Sequence, residues 1–333
     1  ENTNPKTDTT CDLCHDTQKQ IFNKLGLSID WLGQHISESN RAEVETWINS
    51  LDDHDLLEAE YNNVPLGKWV ESSVHSHFRM RYLDFEVEKI AKAYRSYLFG
   101  AALAWHGLKA IMDDFEPQVL FMLNGRFFSH RLAYELAQER GIRVYCHERG
   151  RQDNSLRVFD NETGLTFDTL MNSWDEWKDQ PLDQDELDAT ERVFLERSHG
   201  KNTGWKSFVL EGRGDWDLLR TQIRLKANQK LVTLFTSSDD EAGVSDAWKP
   251  VIIDQMEWVS KVMEYLRDKP EYKLVVRIHP NTAGVVGENR QFLDRISTLM
   301  DHAPENVHFV MPADKVNSYQ LIEMSDAVLV YFS

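Results

Sequence analysis

The hydrophobic period of this chain changes along its length, and that change constrains the fold more than any other feature. From 17 to about 115, apolar residues recur three or four apart: Ile21, Leu25 and Leu27; Val44, Trp47, Ile48 and Leu51; then Val87, Ile90, Ala91, Tyr94, Leu98, Ala101 and Ala102. That spacing predicts helices with one buried stripe each. After Pro117 it gives way to a continuous apolar run of strand length, Val119-Leu120-Phe121-Met122-Leu123, closed by Asn124-Gly125. A helix over about 129–140 follows, stopped by Gly141, and Val144-Tyr145-Cys146 resumes a strand. Strand, helix and strand at this spacing predict a βαβ unit with buried parallel strands, half of a Rossmann-like sheet.

Residues 151–178 carry no clear pattern and read as loops with short elements. Asp183-Gln184-Asp185-Glu186 opens a helix with a capping residue and an acidic first turn, running to about Ser198 before Gly200. The glycine-containing, polar stretch 201–216 is the candidate linker. From Lys230 the alternation returns: strands over 231–235, 273–278, 307–310 and 327–331, with helices over 251–266, 291–299 and 318–324 between them. This predicts a second, doubly wound α/β domain. A length of 333 residues exceeds what one hydrophobic core usually serves. The expected division is therefore 1–216, helical and then Rossmann-like, and 217–333. The sequence stops at Ser333 directly after a strand, where such a sheet normally continues into a helix, so a chain truncated at both ends is expected.

A formal charge of −18, from 37 basic and 55 acidic residues, disfavours a broad phosphate-binding face and hence a nucleic-acid partner. It leaves room for a local basic pocket, because net charge describes the far field. No apolar run approaches the roughly 20 residues that span a bilayer, and three cysteines are too few for a disulfide framework. The expectation is a cytoplasmic protein. Cys11-Asp12-Leu13-Cys14-His15 has haem-attachment spacing or could supply half a zinc site. No second pair completes a metal site, so a plain helix start is preferred. Trp47, Trp69, Trp105, Trp174, Trp177, Trp205 and Trp216 are assigned to cores and interdomain packing, with sugar stacking as the alternative for those from Trp174 on.

In open parallel sheets ligands bind beyond the carboxyl ends of the strands. The polar groups expected there are Asn124-Gly125-Arg126, His147-Glu148-Arg149-Gly150, Thr236-Ser237-Ser238-Asp239, Arg277-Ile278-His279-Pro280-Asn281 and Ser333. Arg277 at a strand end, followed by His279-Pro280, suits an anion: guanidinium takes two phosphate oxygens and the imidazole a third. A salt bridge with a capped turn is the plainer alternative. Glu148 is a candidate general base, or the partner of Arg126, Arg149 or Arg151. Asn124-Gly125 is either a close approach to substrate or a tight turn. Ser237 and Ser238 are phosphate donors or a helix N-cap, and the acidic residues after them oppose phosphate unless they point away or hold a metal.

In order and content these segments resemble the capsule polysaccharide biosynthesis family of bacterial glycosyltransferases, related to Kdo transferases and bacterial sialyltransferases. The resemblance runs through Val119 to Arg126, His147 to Gly150, Phe235 to Glu241, Val275 to Asn281, and Ser318-Tyr319 through Asp326 to Ser333, about the last two thirds of the chain. It implies a GT-B fold, two Rossmann-like domains facing across a cleft, and a nucleotide-sugar donor carrying CMP, UDP or GDP. The implied acceptor is a polysaccharide or lipid-linked saccharide, reached at the inner face of the membrane by peripheral association. It also implies that Glu148 is the base, that His279-Pro280 binds the donor phosphate, and that Ser333 begins a Ser/Thr motif; Arg277, Ser237, Ser238 and Asn281, by their position after strands, are expected in the same donor site. Asn124, Gly125, Arg126 and Arg149 fall on the acceptor side. Arg149 between Glu148 and Gly150 departs from the family's acidic-residue-then-glycine pattern. No Asp-x-Asp pair follows a strand, so no metal or other cofactor is expected. A polyol-phosphate transferase, a sugar epimerase of like architecture, and a non-catalytic nucleotide-binding scaffold subunit are the alternatives.

Overall fold

The computed structural model describes residues 8–150, 152–166, 168–201, 215–238, 240, 252, 254–280, 282 and 291–331. The first part is helical: α1 (Asp8–Lys24), α2 (Glu38–Ser50), α3 (Leu66–Phe78) and α4 (Glu88–Phe115). A capping box starts α2, with the Ser37 hydroxyl accepting from the Asn40 backbone N–H and the Asn40 side chain accepting from the Ser37 N–H. The predicted stripe of α4, Ile90, Ala91, Tyr94, Leu98, Ala101 and Ala102, is buried against α2, α3 and the turn Asp53–Glu58. The helix ends at Glu116 in the left-handed region, φ 48°, one residue before Pro117. Gly67 lets α3 press onto that turn. A Cβ there would lie 2.2 Å from the Leu57 carbonyl oxygen, while the Gly67 carbonyl accepts the buried Tyr94 hydroxyl at 2.7 Å. The stripe predicted on α1 is not buried: Leu25 is 64% exposed, and Ile21 and Leu27 are also exposed. Helical spacing gives a stripe its shared face but supplies nothing to cover it.

The first sheet has three strands, β1 (Val119–Leu123), β2 (Arg143–Arg149) and β3 (Leu156–Asp160), in the order β1-β2-β3. β1 and β2 are parallel, joined through α5 (Phe128–Glu139), which Gly141 ends at φ 67°. This part is not the doubly wound unit expected, because β3 pairs with β2 antiparallel. Nor are its strands buried on both faces. Leu120, Met122, Val144, Cys146 and Phe159 pack on α4 and α5, whereas Val119 (52%), Phe121 (59%), Leu156 and Val158 face outward. β2 also runs past Cys146 through Arg149, and α6 (Asp168–Trp177) lies in the stretch read as loops. The predicted capping residue, Asp183, opens α7 (Gln184–Ser198), where the structure adds a reciprocal bond from Glu186 that completes a capping box.

The second sheet matches the expectation. Strands β4 (Lys230–Phe235), β5 (Tyr272–Arg277), β6 (Val307–Val310) and β7 (Ala327–Val330) are all parallel, in the order β6-β5-β4-β7. Alternation along the strands sends Leu234, Leu274, Val276 and Phe309 to α9 (Gln255–Leu266) and α10 (Gln291–Asp301). Leu231, Val275 and Val310 go to α8 (Trp216–Gln222) and α11 (Ser318–Met324). β4 and β5 are covered on both faces, which explains their near-continuous apolar sequences, whereas Val328 and Val330 of the edge strand β7 are exposed. The chain winds outward both ways from β4, so the gap between the carboxyl ends of β4 and β7 is a topological switch point, where such sheets bind ligands.

Two outcomes follow. Gly67→Ala forces helix and turn apart and lowers stability by about 1–3 kcal/mol, measurable by urea unfolding. His106 accepts from Asn40 Nδ2 at 3.1 Å through Nδ1, which leaves its Nε2–H facing the Tyr61 hydroxyl at 2.7 Å. Burial holds its pKa below the ordinary value of 6.5, with Glu43 opposing and Lys109 assisting. Since the unfolded chain takes up the proton first, this contribution is present above that value and is lost as pH falls towards the depressed one. The melting temperature should therefore drop on going from pH 7 towards pH 5, less steeply in His106→Gln.

Candidate functional site

At the end of β1, Gly125 adopts φ 74°, and a Cβ there would meet Thr163 Cγ2 at 2.8 Å, so this turn requires glycine. The turn aims Asn124 along the sheet edge. Its Oδ1 accepts from the Arg126 N–H at 3.0 Å and its Nδ2 donates to Glu148 Oε2 at 2.5 Å. Glu148 Oε1 accepts from the Arg149 N–H at 2.9 Å. The carboxylate is thus oriented by an amide and a backbone donor, and among the described residues it makes no ion pair with an arginine. A carboxylate offers about four acceptor positions, so others remain for a substrate hydroxyl. Beside it opens a cavity of about 950 Å³ lined by Leu123, Asn124, Phe127, His147, Glu148, Arg149 and the turn 153–156. His147 stacks on Phe121 at 4.8 Å, and its Nδ1, like that of His130 on α5, is buried without a hydrogen-bond partner. Burial, then His147, pushes the His130 pKa down.

The second sheet supplies the facing group. Thr236 Oγ1 accepts from the His279 N–H at 2.9 Å, and the Ser237 N–H donates to Gln255 Oε1 at 2.6 Å. The N-cap of α9 is Asp254, so Thr236, Ser237 and Ser238 are not that helix's cap; all three are buried at the switch point. Arg277 ends β5. Its Nη1 donates to the Met311 carbonyl at 2.6 Å, and its buried Nε has no hydrogen-bond partner. Burial lowers the Arg277 pKa while Asp314 opposes, and a guanidinium stays charged regardless. His279 is pushed below the ordinary imidazole value by burial first and Arg277 second, with Asp240 opposing. At neutral pH it is an uncharged imidazole beside a fixed cation.

Asp240 joins the two halves. Its carboxylate is buried, with Arg79 Nη1 at 3.3 Å and Arg126 Nη2 at 3.9 Å. Arg126 also donates from Nε to Ser72 Oγ at 3.0 Å. Arg79 is the left-handed residue (φ 54°) that ends α3, which turns its side chain out of the helix. Nearby, the buried Arg81 donates to the Tyr331 hydroxyl at 3.1 Å, and Tyr331 donates to the Ile252 carbonyl. The acid expected to oppose a phosphate is therefore neutralised by arginines of the first part.

Of the residues singled out in the sequence, Asn124, Gly125, Arg126 and Glu148 cluster at one sheet edge, and Ser237, Ser238, Arg277, His279 and Pro280 at the other. Arg149 is exposed at the end of β2. Asn281, Ser333, Asp239 and Trp205 lie outside the described residues. Arg79, Arg81, Asp240 and His130 were not assigned site roles. Arg79 and Arg81 sit in a region whose only sequence signal was helical, and they become visible only when the two parts meet. Trp174 (59% exposed) and Trp177 pack into no core, contrary to expectation. Cys14 is exposed and His15 stacks on Trp31 at 4.2 Å. Among the described residues no group of three or more His, Cys, Asp or Glu is placed to hold a metal ion, and no helix is long and apolar enough to cross a membrane.

The geometry defines a mixed α/β protein with a polar site between the carboxyl edges of two sheets. No family model matches the chain, and no curated protein matches it. Among solved structures it is similar to a Listeria monocytogenes protein provisionally assigned as a UDP-N-acetylglucosamine 2-epimerase, at 11% identity and a TM-score of 0.27, over 78% of this chain and 71% of that one. Likeness at that level is too low to transfer a fold or an activity.

Removing Asp240 leaves two arginines facing each other. Asp240→Ala should cost about 1–3 kcal/mol and separate the unfolding of the two parts, seen as a broadened or biphasic urea transition; a single transition at the wild-type midpoint would mean that the contact does not couple them.

Proposed function

We propose that the protein transfers a sugar from a nucleotide-sugar donor to a saccharide acceptor, in a GT-B-like arrangement. The observation that carries this reading is the juxtaposition through Asp240 of an oriented carboxylate on one sheet edge with a guanidinium–imidazole pair on the other. Arg277 and His279 meet the donor diphosphate or phosphate, with Ser237 and Ser238 beside them at the switch point. Charge grows on the leaving nucleotide as the anomeric bond breaks. A fixed cation and preoriented donors stabilise that charge more than they stabilise the bound ground state. Arriving phosphate also raises the His279 pKa, so the neutral imidazole takes up a proton and donates it in a hydrogen bond. Glu148 accepts the proton of the attacking acceptor hydroxyl, a step usually contributing about 10²–10⁴-fold in rate. Asn124 and the Arg149 N–H hold the carboxylate for this step. The cavity beside Glu148, about 950 Å³, is large enough for a saccharide.

The same donor half would serve an epimerase or a polyol-phosphate transferase. The products tell these apart: released nucleotide with a glycosylated acceptor, an epimerised sugar nucleotide, or a phosphodiester. A thermal-shift screen of CMP, UDP, GDP and CDP should find one that stabilises the protein, and His279→Ala should remove the effect, since selective binding raises apparent stability by mass action. Because protonated His279 favours the anion, affinity should strengthen as pH falls from neutral towards the depressed His279 value. Glu148→Gln should retain nucleotide binding and lose at least about 100-fold in transfer. No response to any nucleotide would instead favour a scaffold without catalysis.

A further inference from the structure

The second sheet carries another polar cavity, at the edge opposite the site above. It measures about 350 Å³, and its lining includes Arg224, Lys226, Arg267 and Lys273 against the one carboxylate of Glu305. Lys226 precedes β4, Lys273 is the second residue of β5 and Asn306 immediately precedes β6. The cavity therefore lies at the amino ends of strands whose carboxyl ends carry Thr236 and Arg277. A strand of six residues, about 20 Å long, separates the two places.

Four cations gathered in one hollow run against a chain of 37 basic and 55 acidic residues. Lys273 is buried, and its Nζ donates to the Glu305 carbonyl at a long 3.4 Å. Burial, then Arg224 and Lys226, lower its pKa, with Glu305 opposing. The Glu305 carboxylate is exposed and lies 3.8 Å from Lys226. Arg224 and Arg267 make no ion pair among the described residues. The frame beneath these cations is cross-linked. Asn306 Nδ2 donates to the carbonyls of Leu266, Lys269 and Tyr272, which fixes the loop after Arg267. Gln229 bonds the Pro270 carbonyl at 2.9 Å and accepts from the Lys226 N–H at 3.1 Å, tying the approaches to β4 and β5 together. The backbone that carries the cations therefore needs little rearrangement to receive an anion. Two guanidiniums and a buried ammonium suit a compact, multiply charged oxyanion with several acceptor oxygens.

We propose that this cavity binds a phosphoryl anion, a phosphate or diphosphate group carried by a soluble molecule or by a lipid headgroup, at a site separate from the interdomain one. The proposal does not depend on the transferase reading. The test uses inorganic pyrophosphate, titrated by calorimetry at fixed ionic strength into wild type, the double variant Arg224→Gln/Arg267→Gln, and His279→Ala. Both arginines are exposed, so the double variant should fold. The expected result is saturable binding, weakened at least tenfold in the double variant and still present at wild-type strength for this site in His279→Ala. Binding equal in wild type and the double variant, or lost entirely in His279→Ala, overturns the proposal. Vesicle flotation then separates the sources. Co-flotation with phosphatidylglycerol but not phosphatidylcholine vesicles, lost in the double variant, assigns the group to a lipid headgroup. Pyrophosphate binding without co-flotation assigns it to a soluble molecule, and failure of both overturns the proposal.

Discussion

The arrangement of the site depends on one buried carboxylate. Asp240 belongs to the second sheet's first crossover, yet its counter-charges, Arg79 and Arg126, come from the helical and mixed-sheet part. Burying an acid is tolerable only where cations compensate it, so the contact fixes which faces of the two parts can meet. Arg126 shares a turn with Asn124, and Asn124 holds Glu148. Asp240 in turn is felt by His279. One ion-pair cluster thus sets the relation between the groups assigned to acceptor and donor.

The two sheets reach their edges by different means. In the second, all strands are parallel and the central pair β4 and β5 is covered on both faces, so the carboxyl edge is a consequence of winding direction alone. In the first, only β1 and β2 are parallel, and the antiparallel β3 leaves one face bare. The cavity beside Glu148 opens at the end of that sheet, with the turn 153–156 as its wall.

How much of this was legible follows from what periodicity encodes. The runs 231–235 and 273–278 are apolar on both faces because both are covered, and that is readable without a structure. The capping residues Asp183 and Gly141 act within a few residues of chain, so they were readable too. β3 was not, since Leu156–Asp160 is only five residues long, has Val158 and Phe159 adjacent and so breaks strict alternation, and buries Phe159 alone. The stripe of α1 was misread because amphipathicity states a preference and not a partner. Glu148, Arg277 and His279 were singled out from their position near strand ends, and Glu148 and Arg277 lie in the last residues of β2 and β5. The tie through Asp240 was not, because Arg79 is 161 residues away and nothing local marks a long-range ion pair.

The pairing of β2 with β3 has a further implication for Glu148. The residue sits inside the ladder, opposite Arg157, with His147 opposite Val158 and Arg149 opposite Leu156. Successive strand residues point to opposite faces, so a slip of one position would present an imidazole or a guanidinium where the carboxylate now meets Asn124. The chemical identity of that corner is therefore set by alignment: the register of β2 on β1, with Leu123 opposite His147, and its ladder to β3 decide which functional group the cavity receives.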